Sequence, residues 1–240
     1  MGKIMKSLMQ TVVSHLKQIM GLVPAASNEG STDVIISGFS TSLGSSEPNE
    51  LDRRPVGILY ADIVEYARLT EEDEEGTHLR QVESMEILKA HVVANNGRVA
   101  HLAGDAILAE FKDADSALHC AINAQLSARQ WNANLALNRQ VRFRIGVNFG
   151  DVISDHGDIF GKAVNLAARL ESLACSGGIC VSDAVRLKLE ADSDFRFVAI
   201  GKQYVKNISE PVQAFWIEID AQQIVDIDLT SAVKVSAMAS

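Results

Sequence analysis

The segment RVAHLAGDAILAEF, residues 98–111, constrains the fold more than any other stretch of this chain. Two apolar-rich runs, 98–103 and 106–111, meet across Gly104-Asp105, which leaves room only for a tight turn, so they read as an antiparallel hairpin. Around the hairpin the pattern alternates between strand and helix. Residues 56–64 read as a strand. A helix follows over about 74–95, opening with acidic residues and stopping at Asn95-Asn96-Gly97. Another helix covers about 113–132, and Val141–Asn148 is a strand with alternating Arg142 and Arg144. Residues 161–175 form a helix, 178–182 a strand, 183–191 a helix, and 195–200 and 213–219 the closing strands. Interleaved strands and helices with a hairpin inside predict an α+β sandwich: a mostly antiparallel sheet with helices against it.

That pattern occupies residues 55–220 and reads as one folded domain in a chain of 240. Residues 1–23 carry Met5, Leu8, Met9, Val12, Leu16, Ile19 and Val23 at helical spacing, with Lys3, Lys6 and Lys17 among them. Such a helix suits packing on the body or on a dimer partner, or a weak contact with a membrane surface or partner protein. His15 and Lys17 interrupt the apolar centre that a signal peptide would need. Residues 24–54 form a linker rich in Ser, Gly, Asn and Glu, and the tail at 221–240 has no clear framing. With 22 basic and 31 acidic residues the net charge is −9, which argues against binding an extended nucleic acid. A small triphosphate needs only a few local cations. The three cysteines, Cys120, Cys175 and Cys180, form no CxxC pair and read as reduced, mostly buried thiols of a cytoplasmic protein.

Two aspartates stand at strand rims. Asp62 lies in VGILYADIVEY (56–66), and Asp105 lies at the hairpin turn. Each follows an apolar run that brings the chain out of a core. Singly, either would serve as a turn cap. Together, two hard oxygen ligands suit Mg²⁺ or Mn²⁺, which keep positions open for substrate phosphates. Two such ions can activate one oxygen and stabilise another during in-line displacement at phosphorus.

Five segments in order resemble the class III nucleotidyl cyclases, the adenylyl and guanylyl cyclase homology domain: YADIVEYARL, GRVAHLAGDAILAEF, FRIGVNFGDVI, DIFGKAVNLAARLE and VKNISEPVQAFWI. The resemblance covers about 55–218. It implies an enzyme that makes a 3′,5′-cyclic nucleotide and pyrophosphate from a nucleoside triphosphate, using two Mg²⁺ or Mn²⁺ ions per active site. It implies a homodimer whose sites lie at the interface, with the metal aspartates from one chain and the ribose and phosphate contacts from the other. Asp62 and Asp105 would be the metal pair, and the backbone of Ile63 would offer a carbonyl to the metal or amides to the phosphates. Asn165 and Arg169, four apart on one helix face, match the ribose-positioning amide and the transition-state arginine. Lys206 falls near the triphosphate lysine. A planar, permanently charged guanidinium suits the charge that develops on the phosphate oxygens. A non-catalytic dimerisation module is the rival reading; degenerate members usually lose a metal aspartate or the Asn/Arg pair, and this sequence keeps all four.

The departures from the pattern fall where the base is read. Adenylyl cyclases place a lysine three residues before the Gly-Asp of the second metal segment and an aspartate in the Asp-Ile-Tyr-Gly-like turn. Asp158 is present here, but His101 stands at the lysine position, where guanylyl cyclases usually have glutamate. Glu65 stands where glycine is common, and Lys162-Ala163 where Asp-Gly is common. Stand-alone relatives that make cyclic UMP or cyclic CMP as antiphage signals also lack the purine-reading set. The expectation drawn from His101 is therefore UTP or CTP, with Tyr60 and Tyr66 narrowing the base pocket; the alternative is an adenylyl cyclase acting on ATP.

Overall fold

A computed structural model describes residues 53–190, 195–204 and 210–219. The expected helix at 1–23, nearly all of the linker, Lys206 and the 221–240 tail lie outside the described residues. The described elements are β1 (Arg53–Ile63), α1 (Tyr66–Glu72), α2 (Glu74–Ala94), β2 (Arg98–Ala103), β3 (Ala106–Phe111), α3 (Ala114–Asn132), a 3₁₀ turn (Leu137–Arg139), β4 (Phe143–Asp155), β5 (Asp158–Phe160), α4 (Lys162–Leu173), β6 (Ile179–Ser182), α5 (Asp183–Leu189), β7 (Arg196–Gln203) and β8 (Val212–Glu218).

The strands form one sheet in the order β2-β3-β1-β4-β6-β8-β7, with β5 folded back on β4. Every pairing is antiparallel except β4 with β6. This is the α+β architecture expected from the hairpin. β1 lies between β3 and β4, and its register with β4 runs unbroken from Arg53↔Ile153 to Ile63↔Phe143.

Alternation along β1 sorts its side chains onto two faces. Leu59, Ala61 and Ile63 enter the large core with Leu88 and Val92 of α2 and Leu118 and Ala121 of α3. Val56 and Ile58 point the other way, into a smaller cluster with Ala167 of α4, and Tyr60 packs at its margin. Among the described residues, α4 supplies the helical cover of that second face. It lies close against β4 because position 146 is glycine: a Cβ there would stand 2.1 Å from the Ala167 carbonyl oxygen. The helix starts are chemically marked. Asp73 caps α2 by accepting from the Gly76 amide, ahead of Glu74 and Glu75, and Asp113 caps α3 through the Ser116 amide.

Several features differ from the sequence reading. β1 starts at Arg53, inside the expected linker. The seven-residue α1 falls in a stretch assigned to neither strand nor helix. β4 runs to Asp155, well past Asn148, because Arg53–Val56 of β1 offer it a partner strand that overrides Gly150 and Asp151 as breakers. β4 then turns back into β5 through His156-Gly157, both at positive φ (46° and 84°), which is the geometry of a two-residue hairpin turn.

Candidate active site

Asp62 is the penultimate residue of β1 and stands opposite Arg144 of β4. The Arg144 Nη2 lies 3.4 Å from Asp62 Oδ2. Its Nε lies 2.7 Å from Glu171 Oε1 of α4, an ion pair whose atoms are not aligned for a hydrogen bond. Burial raises the Glu171 carboxyl above its ordinary range, and Arg144 opposes that rise. A chain of charge thus runs from the end of β1 through β4 to α4.

Asp105 occupies the turn between β2 and β3, close enough to Asp62 for the two carboxyls to interact. Burial, a hydrogen bond with Asp62 and the Asp62 charge push Asp105 up to about 6. The Tyr60 hydroxyl faces the same acids: burial raises it first, then Asp62, Glu171 and Asp105. The Ile63 side chain is buried on the opposite face, so only its backbone is available to the site. Among the described residues no cluster of three or more His, Cys, Asp or Glu could hold a metal. The donor set is two crowded carboxylates. That set fits a hard divalent cation, which fills its remaining positions with water and phosphate oxygens and relieves the repulsion between the acids.

The loop after Asp62 bends at Glu65, a non-glycine residue in the left-handed region at φ 56° and ψ 33°. This is where the family commonly has glycine, and the backbone shows why: an L side chain there costs about 1–2 kcal/mol. An ion pair between Glu65 and Arg68 at 2.7 Å, largely exposed, offsets little of that. Tyr66 next to it packs against the large core, and its hydroxyl donates to Gln81 Oε1 at 2.7 Å. Tyr66 thus lies on the side of the large core, whereas Tyr60 packs at the margin of the smaller cluster.

That pair is assembled. His101 Nδ1 lies 3.0 Å from Asp158 Oδ2, while Asp158 Oδ1 accepts from the Ile159 amide at 2.7 Å. The β4–β5 turn is held toward β2 a second time: the Arg98 guanidinium donates to the Gly157 carbonyl and bonds Glu110 at 2.9 Å, and Glu110 also takes Arg54 at 2.8 Å.

Asn165 and Arg169 share a face of α4; Asn165 is exposed and Arg169 half-buried. Among the described residues Arg169 pairs with no carboxylate. Glu171, which turns inward toward Arg144, is two residues from Arg169 and therefore on a different face of the helix. Within one chain, then, the Asn/Arg pair is directed away from Asp62. The sequence reading missed Arg144 and Glu171 as parts of the site. The alternating arginines on the strand and the acid ending NLAARLE were the available signals, but only the β1–β4 register shows that they matter.

Residues 50–219 match the family described as the adenylate and guanylate cyclase catalytic domain, and the chain belongs to that family. A Rhizobium meliloti (strain 1021) protein is 41% identical over 161 residues, 67% of this chain and 27% of its own length. The adenylate cyclase of Streptomyces griseus is 37% identical over 141 residues, 58% of this chain and 33% of that one. The chain thus spans about a quarter to a third of the length of these relatives. A crystal structure of an adenylate/guanylate cyclase/hydrolase from Silicibacter pomeroyi is 36% identical, with a TM-score of 0.64 covering 71% of this chain and 99% of that one. The catalytic domains of this family depend on divalent metals. No described helix is long and apolar enough to cross a membrane.

The acid pair makes a prediction about pH. The fold favours protonated Asp105, so its contribution to stability is complete below its ordinary value of 3.8 and is lost as pH rises through about 6. In metal-free buffer Asp105→Asn is expected to match wild type near pH 4 and to exceed it at pH 7 by about 1 kcal/mol, after allowance for solvent screening. Urea unfolding across that range measures the gap; a gap that does not change with pH contradicts the assignment.

Proposed function

We propose that this chain is an adenylyl cyclase domain that converts ATP to 3′,5′-cyclic AMP and pyrophosphate at sites shared between two copies. The observation that carries the reading is the meeting of Asp62 and Asp105 at one point in a member of the cyclase family. The two carboxylates, with the Ile63 backbone, would hold the cations. Two Mg²⁺ or Mn²⁺ ions, when bound, make the 3′ hydroxyl more acidic and neutralise the triphosphate. Arg144 balances the negative charge of Asp62 and fixes its orientation. Asn165 positions the ribose, Arg169 stabilises charge on the phosphate oxygens as the ring closes, and Lys206 binds the triphosphate. Because Asn165 and Arg169 face away from Asp62 within one chain, a twofold dimer is the arrangement that unites them.

The relatives named adenylate cyclase favour ATP over the pyrimidine triphosphates expected from His101, and no comparison supports an antiphage role. The pairing of His101 with Asp158 is compatible with adenine. The Asp158 carboxylate can accept from the N6 amine, and the His101 ring nitrogen turned away from Asp158 can donate to N1 when the ring carries both protons. His101 replaces the reach of a lysine with the fixed geometry of a dyad.

Incubating the purified chain with Mn²⁺ and each of ATP, GTP, UTP and CTP, with products resolved by mass, tests the reading. The highest kcat/KM is expected for ATP. A higher value for UTP or CTP overturns the base assignment, and absence of product from all four favours the non-catalytic module.

Mixing tests the shared site. Asp62→Ala and Arg169→Ala chains are each expected to lose about 10²-fold or more in rate. After subunit exchange, half the dimers carry one intact site of two, so activity returns to about a quarter of wild type. No recovery despite demonstrated exchange places the site within one chain.

A further inference from the structure

The two metal aspartates belong to separate segments, and something must set the distance between them. Asp62 is held by the β1–β4 ladder. Asp105 is not so held: β2–β3 pairing ends at Ala103↔Ala106, and the turn beyond it stands clear. At Gly104, φ 61°, a Cβ would find no atom within 4 Å. Among the described residues, none stands over Gly104 at the tip of the turn that presents the second carboxylate.

Besides the meeting of the two carboxyls, a polar contact from a helix reaches the backbone of this turn. Gln81, in the second turn of α2, donates from Nε2 to the Gly104 carbonyl at 2.9 Å, while its Oε1 accepts from the Tyr66 hydroxyl at 2.7 Å. Tyr66 opens α1 directly after the loop that leaves Asp62. α1 and α2 are themselves fastened where they meet, since the Thr77 hydroxyl donates to the Leu69 carbonyl at 2.7 Å. We propose that Gln81 is a positioning residue: through Tyr66 on one side and the Gly104 carbonyl on the other, it ties the segment after Asp62 to the turn that carries Asp105 and so sets the spacing of the metal-binding carboxylates.

The chemistry requires an amide. One end of the side chain must accept from a phenol and the other must donate to a carbonyl, and glutamine does both at the right length. A leucine fills similar space and does neither. Tyr66→Phe removes only the phenolic donor and leaves the amide on the turn, so its effect should be smaller and should vanish when Gln81 is already gone.

The inference rests on Asp62 and Asp105 as the cation ligands, and its test reads metal binding without turnover. The 240-residue wild type, Gln81→Leu, Tyr66→Phe and the double variant are titrated with Mn²⁺ alone and free ion is followed by electron paramagnetic resonance; melting is recorded in chelator. Gln81→Leu is expected to bind Mn²⁺ about 3- to 10-fold more weakly, the scale of one lost hydrogen bond, with melting within about 2 °C of wild type. The double variant should bind no more weakly than Gln81→Leu, because the two residues act through one contact chain. A Gln81→Leu titration that overlays wild type overturns the role of Gln81 and leaves the acid pair standing. Additive losses overturn the tie through Tyr66. Should Gln81→Leu fail to fold, Tyr66→Phe carries the test, and an unchanged titration overturns the inference. Wild type that binds no Mn²⁺ overturns the acid pair and this inference together.

Discussion

The register of β1 between its two neighbours is the constraint on which the rest of the site depends. A slip of one residue would move Asp62 from the α4 face to the helix-covered core and drive Leu59, Ala61 and Ile63 outward. Burial of those three side chains makes such a slip prohibitive. The register then does two things at once. Pairing with β3 ends at Ala61↔Ile107, which leaves Asp62 free of that strand and next to the turn bearing Asp105. Pairing with β4 continues to Ile63↔Phe143, which puts Arg144 directly across from Asp62.

Concentrating acids in this way works against stability. Asp105 and Glu171 are both raised mainly by burial, with Asp62 adding to each, so ionising them in the protein without metal is costly. Arg144 lies between them and offsets part of it. Ion pairs that are largely buried add little net stability but fix orientation, and that is the service Arg144 and Glu171 give by linking the end of β1 to α4. The strained backbone at Glu65 is a second local cost in the same loop. Functional sites commonly carry such costs, which the core of the domain tolerates.

Much of this was legible in the sequence because it depends on local pattern. The hairpin at Gly104-Asp105, the acidic helix start near Glu74 and the strand leading to Asp62 all follow from turn chemistry, capping and apolar runs; the observed bounds agree closely for the hairpin and the helix, while the strand begins earlier, at Arg53. What could not be read depends on pairing between distant segments. β4 outlasts its apparent breakers only because β1 supplies a partner. The nearness of His101 to Asp158 follows from a two-residue turn at His156-Gly157, where histidine takes the less usual positive φ. Tyr66 looked like a companion to Tyr60 because both flank Asp62, yet the bend at Glu65 carries it onto the opposite face. The base expectation turned on His101 standing where a lysine is usual, and its pairing with Asp158 became visible only once the fold had brought the β4–β5 turn across.

The central claim is that Asp62 and Asp105 of one chain jointly hold the divalent cation while Asn165 and Arg169 come from a second. Anomalous diffraction from crystals grown with Mn²⁺ and a non-cyclisable ATP analogue tests it most directly. The account predicts manganese peaks between the two carboxylates, with the analogue's phosphates completing the coordination and Arg169 of the neighbouring copy facing the α-phosphate. Manganese away from Asp62 and Asp105, or an Arg169 that reaches the phosphates from the same chain, would contradict it.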